Sequence, residues 1–194
     1  TAELLNESTK NFSTEDISKE LEIIGSDISF YSDRTETTIS VFSLEKNLNK
    51  TLEILNEKLF NPGFNKEDFS RIKKDNIQYY KDQKKNKTLM ASNIFREKLY
   101  GDNAYGGYAN EKDIKKIKLN HLKKYYEDFY APNISRLTIV SSYNKDEIIS
   151  KLDVLKNWKE KDMNTTQSVT FPKEIATQIY IYDIPGSTQS SIRI

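Results

Sequence analysis

Apolar residues recur along this chain in two rhythms, and the changes between them mark out its elements. Thr1-Ala2-Glu3-Leu4-Leu5 already reads as helix. Ser13-Thr14-Glu15-Asp16 then sets a hydroxyl and carboxylates where free N–H groups open a helix. Ile17, Leu21 and Ile24 follow at helical spacing, and Gly25 is placed to end the run. The rhythm next changes to alternation. Ile28, Phe30 and Ser32 share one face of a predicted strand, and Thr37, Ile39, Val41 and Ser43 share a face of a second. The polar Asp33-Arg34-Thr35-Glu36 between them predicts a hairpin turn.

Leu48, Leu52, Leu55 and Leu59 restore the helical period, which Asn61-Pro62-Gly63 stops. A second helix begins around Phe64-Asn65-Lys66-Glu67-Asp68 and carries Phe69, Ile72, Ile77 and Tyr80 on its apolar side. After a polar break from Lys81 to Lys87, Leu89 to Leu99 predicts another helix, and a Gly-rich loop follows from Tyr100 to Gly107. Its glycines lack the spacing of a phosphate-cradling loop. A short helix is predicted over Asp113–Ile117, and one from His121 to Tyr130 that Pro132-Asn133 closes. Leu137-Thr138-Ile139-Val140 is the best candidate for a buried strand. Ile148, Ile149, Leu152, Leu155 and Trp158 form the face of a last helix.

Residues 159–177 are polar and read as a linker, after which Gln178–Ile184, a Pro185-Gly186 turn and Ser190–Ile194 predict a strand, a turn and the start of a second strand. The expected organisation is therefore a domain over 1–158, the linker 159–177, and 178–194 as the first strands of a following domain or an added edge strand. Strands and helices do not alternate in βαβ units. The class expected is α+β, with a mostly antiparallel or mixed sheet covered by helices.

Composition narrows the function. Lys plus Arg (30) and Asp plus Glu (29) nearly cancel, for a formal net charge of +1, so the chain lacks the basic balance of a dedicated nucleic-acid binder. Two stretches rich in Lys and Tyr, Tyr79–Lys87 and Lys115–Tyr126, interleave acidic residues and read as solvated helix faces. The pairs Glu15-Asp16 and Glu67-Asp68 fall in first helical turns, where they offset the macrodipole. No apolar run approaches a membrane span and no signal peptide is visible; Thr1 is expected to lie inside a longer polypeptide. With no cysteine there is no thiolate chemistry. The single histidine, His121, cannot supply a zinc site that needs two or three imidazoles, and it reads as a solvated first-turn residue.

Several phrases, taken in order, resemble one family. Ser8-Thr9-Lys10-Asn11 leading to Leu21-Glu22-Ile23-Ile24-Gly25, then Leu59-Phe60-Asn61-Pro62-Gly63-Phe64, then Leu99-Tyr100-Gly101-Asp102-Asn103-Ala104-Tyr105-Gly106, then Tyr125–Asn133 running into Leu137–Val140, are similar to successive segments of the pitrilysin/insulinase family of inverzincin zinc peptidases. The resemblance implies a fold like that of pitrilysin and mitochondrial processing peptidase domains. It implies chemistry that needs an H-x-x-E-H helix, with a further Glu downstream, to hold zinc and activate water. Laid on Ser8–Asn11, the motif's first His falls just before Thr1, its Glu on Ala2, its second His on Glu3, and the downstream ligand near Asn76. No residue of this chain is therefore expected to be catalytic, cofactor-binding or metal-binding.

In the family a zinc-bearing lobe is paired with a degenerate one. The implied role is a non-catalytic lobe of a zinc metallopeptidase that encloses unfolded peptide for a zinc-bearing homologous partner, in the same polypeptide or a separate subunit. No zinc is then held here, no nucleic acid and no membrane span are involved, and a bacterial cell envelope or periplasm is the expected location by analogy. The alternative is an inactive scaffold or binding protein on the same fold.

Overall fold

The computed structural model describes residues 1–163, 169–173 and 177–194. In chain order the elements open with helices α1 (Ala2–Leu5) and α2 (Thr14–Ile23), then strands β1 (Asp27–Ser32) and β2 (Thr37–Phe42). Helices α3 (Leu48–Phe60), α4 (Lys66–Gln83) and α5 (Lys87–Tyr100) follow. Last come α6 (Glu111–Lys116), α7 (Leu119–Phe129) and α8 (Lys145–Lys151), which tightens into a 3-10 turn at Leu152–Leu155. The class is α+β, with helices predominating over one small antiparallel sheet.

Local chemistry sets the boundaries. The Ser13 hydroxyl accepts the Asp16 N–H at 3.1 Å and opens α2. Gly25, at φ +61, closes it: the Ser26 N–H reaches back to Leu21 O at 2.9 Å and the Gly25 N–H to Glu22 O at 3.1 Å. Asn65 caps α4 through Asp68 N–H, and Asn86 caps α5 through Leu89 N–H. Helix α8 opens with a reciprocal box, Glu147 N–H to Asn144 Oδ1 and Asn144 N–H to Glu147 Oε2. The expected polar break at Lys81–Lys87 is shorter in the fold, because α4 runs on to Gln83 and α5 begins at Lys87.

The hairpin pairs Ile28 with Val41, Phe30 with Ile39 and Ser32 with Thr37. The Asp33 carboxylate accepts the N–H groups of Thr35 and Glu36 at 2.7 and 2.9 Å and so holds the turn. Leu4, Leu5, Ile28, Phe30, Leu52, Leu55, Leu59, Phe64 and Tyr130 form the buried cluster, joining α1, β1, α3 and the end of α7. Tyr126 donates from its hydroxyl to Leu59 O, and Trp158 Nε1 donates to Tyr130 O at 3.1 Å.

The chain divides into two compact units. One comprises Thr1–Ile72 with Lys118–Thr165, and holds the sheet and the cluster above. The other comprises Lys73–Ile117 with Thr166–Ile194. In that second unit Phe171 lies against Tyr100 and Tyr105, with ring centroids at 6.2 and 5.9 Å, and Asn103 donates to Thr170 O at 3.1 Å. The expected linker at 159–177 includes residues 164–168 and 174–176, which lie outside the described residues.

Two expected strands are not strands. Leu137–Val140 is irregular and open to solvent, with Val140 99% exposed. Gln178–Ile184 is likewise unpaired, with Ile179 at 87% and Ile181 at 88%. The reason is pairing. A strand is stabilised by neighbours on its edges, and β1 and β2 pair only with each other among the described residues. The turn between the last two runs does form, with Ser187 N–H to Ile184 O at 3.1 Å and Gly186 at φ +77.

Candidate functional site

Two of the family-like phrases, some fifty residues apart in sequence, meet in space. The Gly63 N–H donates to Ser8 O at 3.0 Å, the Lys10 N–H to Asn61 O at 2.8 Å, and Thr9 bridges Pro62. Gly63 is needed for this approach: a Cβ there would lie 2.8 Å from Ser8 Oγ and 2.9 Å from Ser8 O. The Thr9 hydroxyl, in turn, accepts the N–H of Asn11 at 3.3 Å and of Phe12 at 3.0 Å, which folds the turn onto itself.

That turn continues directly from α1. Ala2, Leu4 and Leu5 bury their side chains in the cluster, while Glu3 stands on the exposed side. Past the end of α1, the Asn6 amide pairs with the backbone of Phe30, and the Lys58 ammonium donates to the carbonyls of Asn6 and Glu7 at 2.8 and 3.3 Å. Glu7 takes Arg71 at 2.7 Å and the Thr14 hydroxyl at 3.1 Å. Asp68 accepts from Ser8 and Asn65, each at 2.7 Å, and lies 3.3 Å from Arg71. Burial works against charge on Asp68, but these donors together hold its pKa below the ordinary value. An open depression of about 490 Å³ lies over this network, lined by Ser13, Thr14 and Glu15 as well as Glu7, Asp68 and Arg71. The Glu7 and Asp68 carboxylates share the Arg71 guanidinium, and each also accepts a hydroxyl.

The residues on the zinc-motif positions supply a methyl group at Ala2, a carboxylate at Glu3 and a carboxamide at Asn76. Ala2 is 4% exposed, and Asn76 lies half-buried in α4. Zinc sites take three or four Cys, His or carboxylate ligands, and this set offers one. Among the described residues no group of three or more His, Cys, Asp or Glu could hold a metal ion. The aligned residues Ala2, Glu3 and Asn76 do not by themselves fit zinc. His121 sits on the exposed first turn of α7, its Nδ1 accepting the Lys118 N–H at 3.4 Å. The Lys-rich stretches are laced with acids: Lys84 and Lys115 flank Glu111, each at 3.6 Å, and Lys124 pairs with Asp128 at 2.9 Å. That lacing blunts the cationic face a nucleic acid would need.

A family model described as Insulinase (Peptidase family M16) matches residues 2–108, more than half of the chain. The chain belongs to the insulinase family. Among solved structures, the inactive domain of a peptidase M16 from Pseudomonas fluorescens is 26% identical, with a TM-score of 0.61 over 66% of this chain and 32% of that one. A protease from Helicobacter pylori matches at 19% identity and a TM-score of 0.70, over 88% of this chain and 42% of its own. The periplasmic protease PqqL from Escherichia coli matches at 16% identity and 0.71, over 88% and 20%. The last two likenesses show the insulinase-type fold. This chain spans less than half the length of each of the three structures. No curated protein sequence matches at a significant level.

Sequence reasoning missed Lys58 and the Glu7–Arg71 pair. Lys58 had a signal: it stands three residues after Leu55 and one before Leu59, on the face that α3 buries. Glu7 and Arg71, sixty-four positions apart, had none.

Proposed function

We propose that this chain is part of a non-catalytic lobe of a zinc metallopeptidase of the insulinase family. Its role is to enclose an extended peptide and hold it against the metal of a homologous zinc-bearing lobe. The observation that carries the reading is the pairing of insulinase-family membership with Ala2, Glu3 and Asn76, a donor set unable to hold zinc. The 26% identity to a domain described as inactive supports it. Zinc, in this reading, belongs to the partner lobe, carried in the same polypeptide or as a separate subunit. What a silent lobe contributes is positioning: a flexible peptide confined near an activated water reacts faster than a free one. A periplasmic setting is proposed by likeness to the E. coli protease.

The test is to assay an unfolded peptide with the zinc-bearing lobe alone, the complete silent half alone, and both together, with and without a chelator. Hydrolysis should appear in the mixture, be orders of magnitude weaker in the zinc lobe alone at unchanged zinc content, and vanish with the chelator. Equal activity of the zinc lobe alone would remove the enclosing role.

A further inference from the structure

Lys58 is 2% exposed, and its side chain ends among neutral groups. Its Nζ has two acceptors, Asn6 O at 2.8 Å and Glu7 O at 3.3 Å, the carbonyls just past the end of α1. An ammonium carries three N–H donors and a neutral amine two. The site thus matches the neutral form in number, and among the described residues no carboxylate oxygen lies within ion-pair distance of Nζ.

The ionisable groups on the surrounding elements are committed elsewhere. Glu7 is held by Arg71 and Thr14, and Asp68 on α4 by Ser8, Asn65 and Arg71. Glu57, beside Lys58 on α3, accepts from Asn11 and Asn61. Glu3 on α1 and Lys10 in the turn stand exposed, and Tyr126 on α7 spends its hydroxyl on Leu59 O. Only the Glu7 charge draws a proton toward Lys58, and burial outweighs it.

We propose that Lys58 makes the hold on the end of α1 proton-linked: the neutral amine fits the two carbonyls, and the ammonium is accommodated there at a cost to stability. Burial lowers the Lys58 pKa from 10.5 to about 8. In the unfolded chain the lysine keeps its proton up to its ordinary value, so between about pH 8 and 10.5 the unfolded state binds more protons. Stability therefore rises with pH through that window, and at neutral pH and below the cost is present in full. The turn that joins α1 to β1, α3 and α4 tightens under alkaline conditions. This inference does not depend on the peptidase reading.

Urea unfolding of the protein at pH 6.5, 7.5, 8.5 and 9.5 tests it, comparing the native chain with Lys58→Met and Lys58→Gln. The difference isolates Lys58 from the Thr1 amine, which burial also shifts downward. Relative to either variant, the native folded-to-unfolded ratio should steepen above pH 8 toward tenfold per pH unit. Nitrogen-15 NMR of lysine-labelled native protein gives a second readout, with one Nζ, assigned to Lys58 by its absence from the Lys58→Gln spectrum, titrating near 8. An unchanged slope in both variants, or no lysine titrating below about 9.5, overturns the proposal.

Discussion

The side chain of Asn6 stands in for a missing strand beside Phe30: its Nδ2 donates to Phe30 O at 2.7 Å, and its Oδ1 accepts the Phe30 N–H at 2.8 Å. Strand β1 has β2 on one edge, so on the other its backbone groups need partners. One amide meets both needs. Asn6→Ala should cost about 2 kcal/mol, since two hydrogen bonds go and a partly buried N–H and C=O are left unpaired. Asn6→Asp keeps the acceptor and turns the donor into an oxygen facing Phe30 O. That variant should be weakest at neutral pH and recover toward the native value as pH falls and the carboxyl regains a proton. Urea melts at pH 7 and pH 4.5, each against the native protein, check both expectations.

Glycine substitutions should separate close approach from backbone conformation. At Gly63 a Cβ would meet the Ser8 backbone oxygen at 2.9 Å, and both neighbours are held by hydrogen bonds. Gly63→Ala should cost about 2–3 kcal/mol by forcing the turn away from the start of α4. At Gly25 the nearest atom to a Cβ is in the flexible Leu44 side chain at 3.4 Å, so Gly25→Ala meets only the left-handed φ of +61. About 1 kcal/mol is expected there. Thermal melts of the two variants should rank in that order, and the reverse ranking would mean the turn is soft.

Where each residue's neighbours are close in sequence, the fold was legible. Ser13 and Gly25 bound α2 as their types require, and Leu52, Leu55 and Leu59 bury the face their spacing predicts. Leu137–Val140 and Gln178–Ile184 were read from the same apolar signal, but propensity describes how a segment behaves once a strand lies beside it. No described residue pairs with either. The candidate site divides the same way. The zinc-motif positions Ala2, Glu3 and Asn76 could be named from the resemblance, whereas the Asn6–Phe30 grip and the Glu7–Arg71 pair depend on chain paths that no local pattern encodes.

His121→Ala should change stability by less than about 0.5 kcal/mol, because the residue is exposed and its ring makes a long 3.4 Å bond to the Lys118 N–H. A thermal melt of the variant beside the native protein decides. A drop of several degrees would show that this N-terminal contact of α7 matters more than its length implies.

Zinc gives the sharpest check on the functional reading. After dialysis against zinc and removal of the excess, elemental analysis should find far less than one equivalent per chain. The argument rests on ligand count. A stable site needs three or four donors of the right type at tetrahedral positions, and the aligned residues offer the Glu3 carboxylate alone. Single replacements should not change this. Ala2→Glu would add the motif's base, which is not a metal ligand, and would place a carboxylate where a 4%-exposed methyl packs. Glu3→His would exchange one carboxylate donor for one imidazole, with Ala2 and Asn76 still unable to complete the set. The double variant should therefore bind no more zinc than the native chain and should be less stable, with the loss traced to Ala2. One tightly held equivalent in the native protein would mean that the ligand positions are misassigned, and the silent-lobe reading would fall with them.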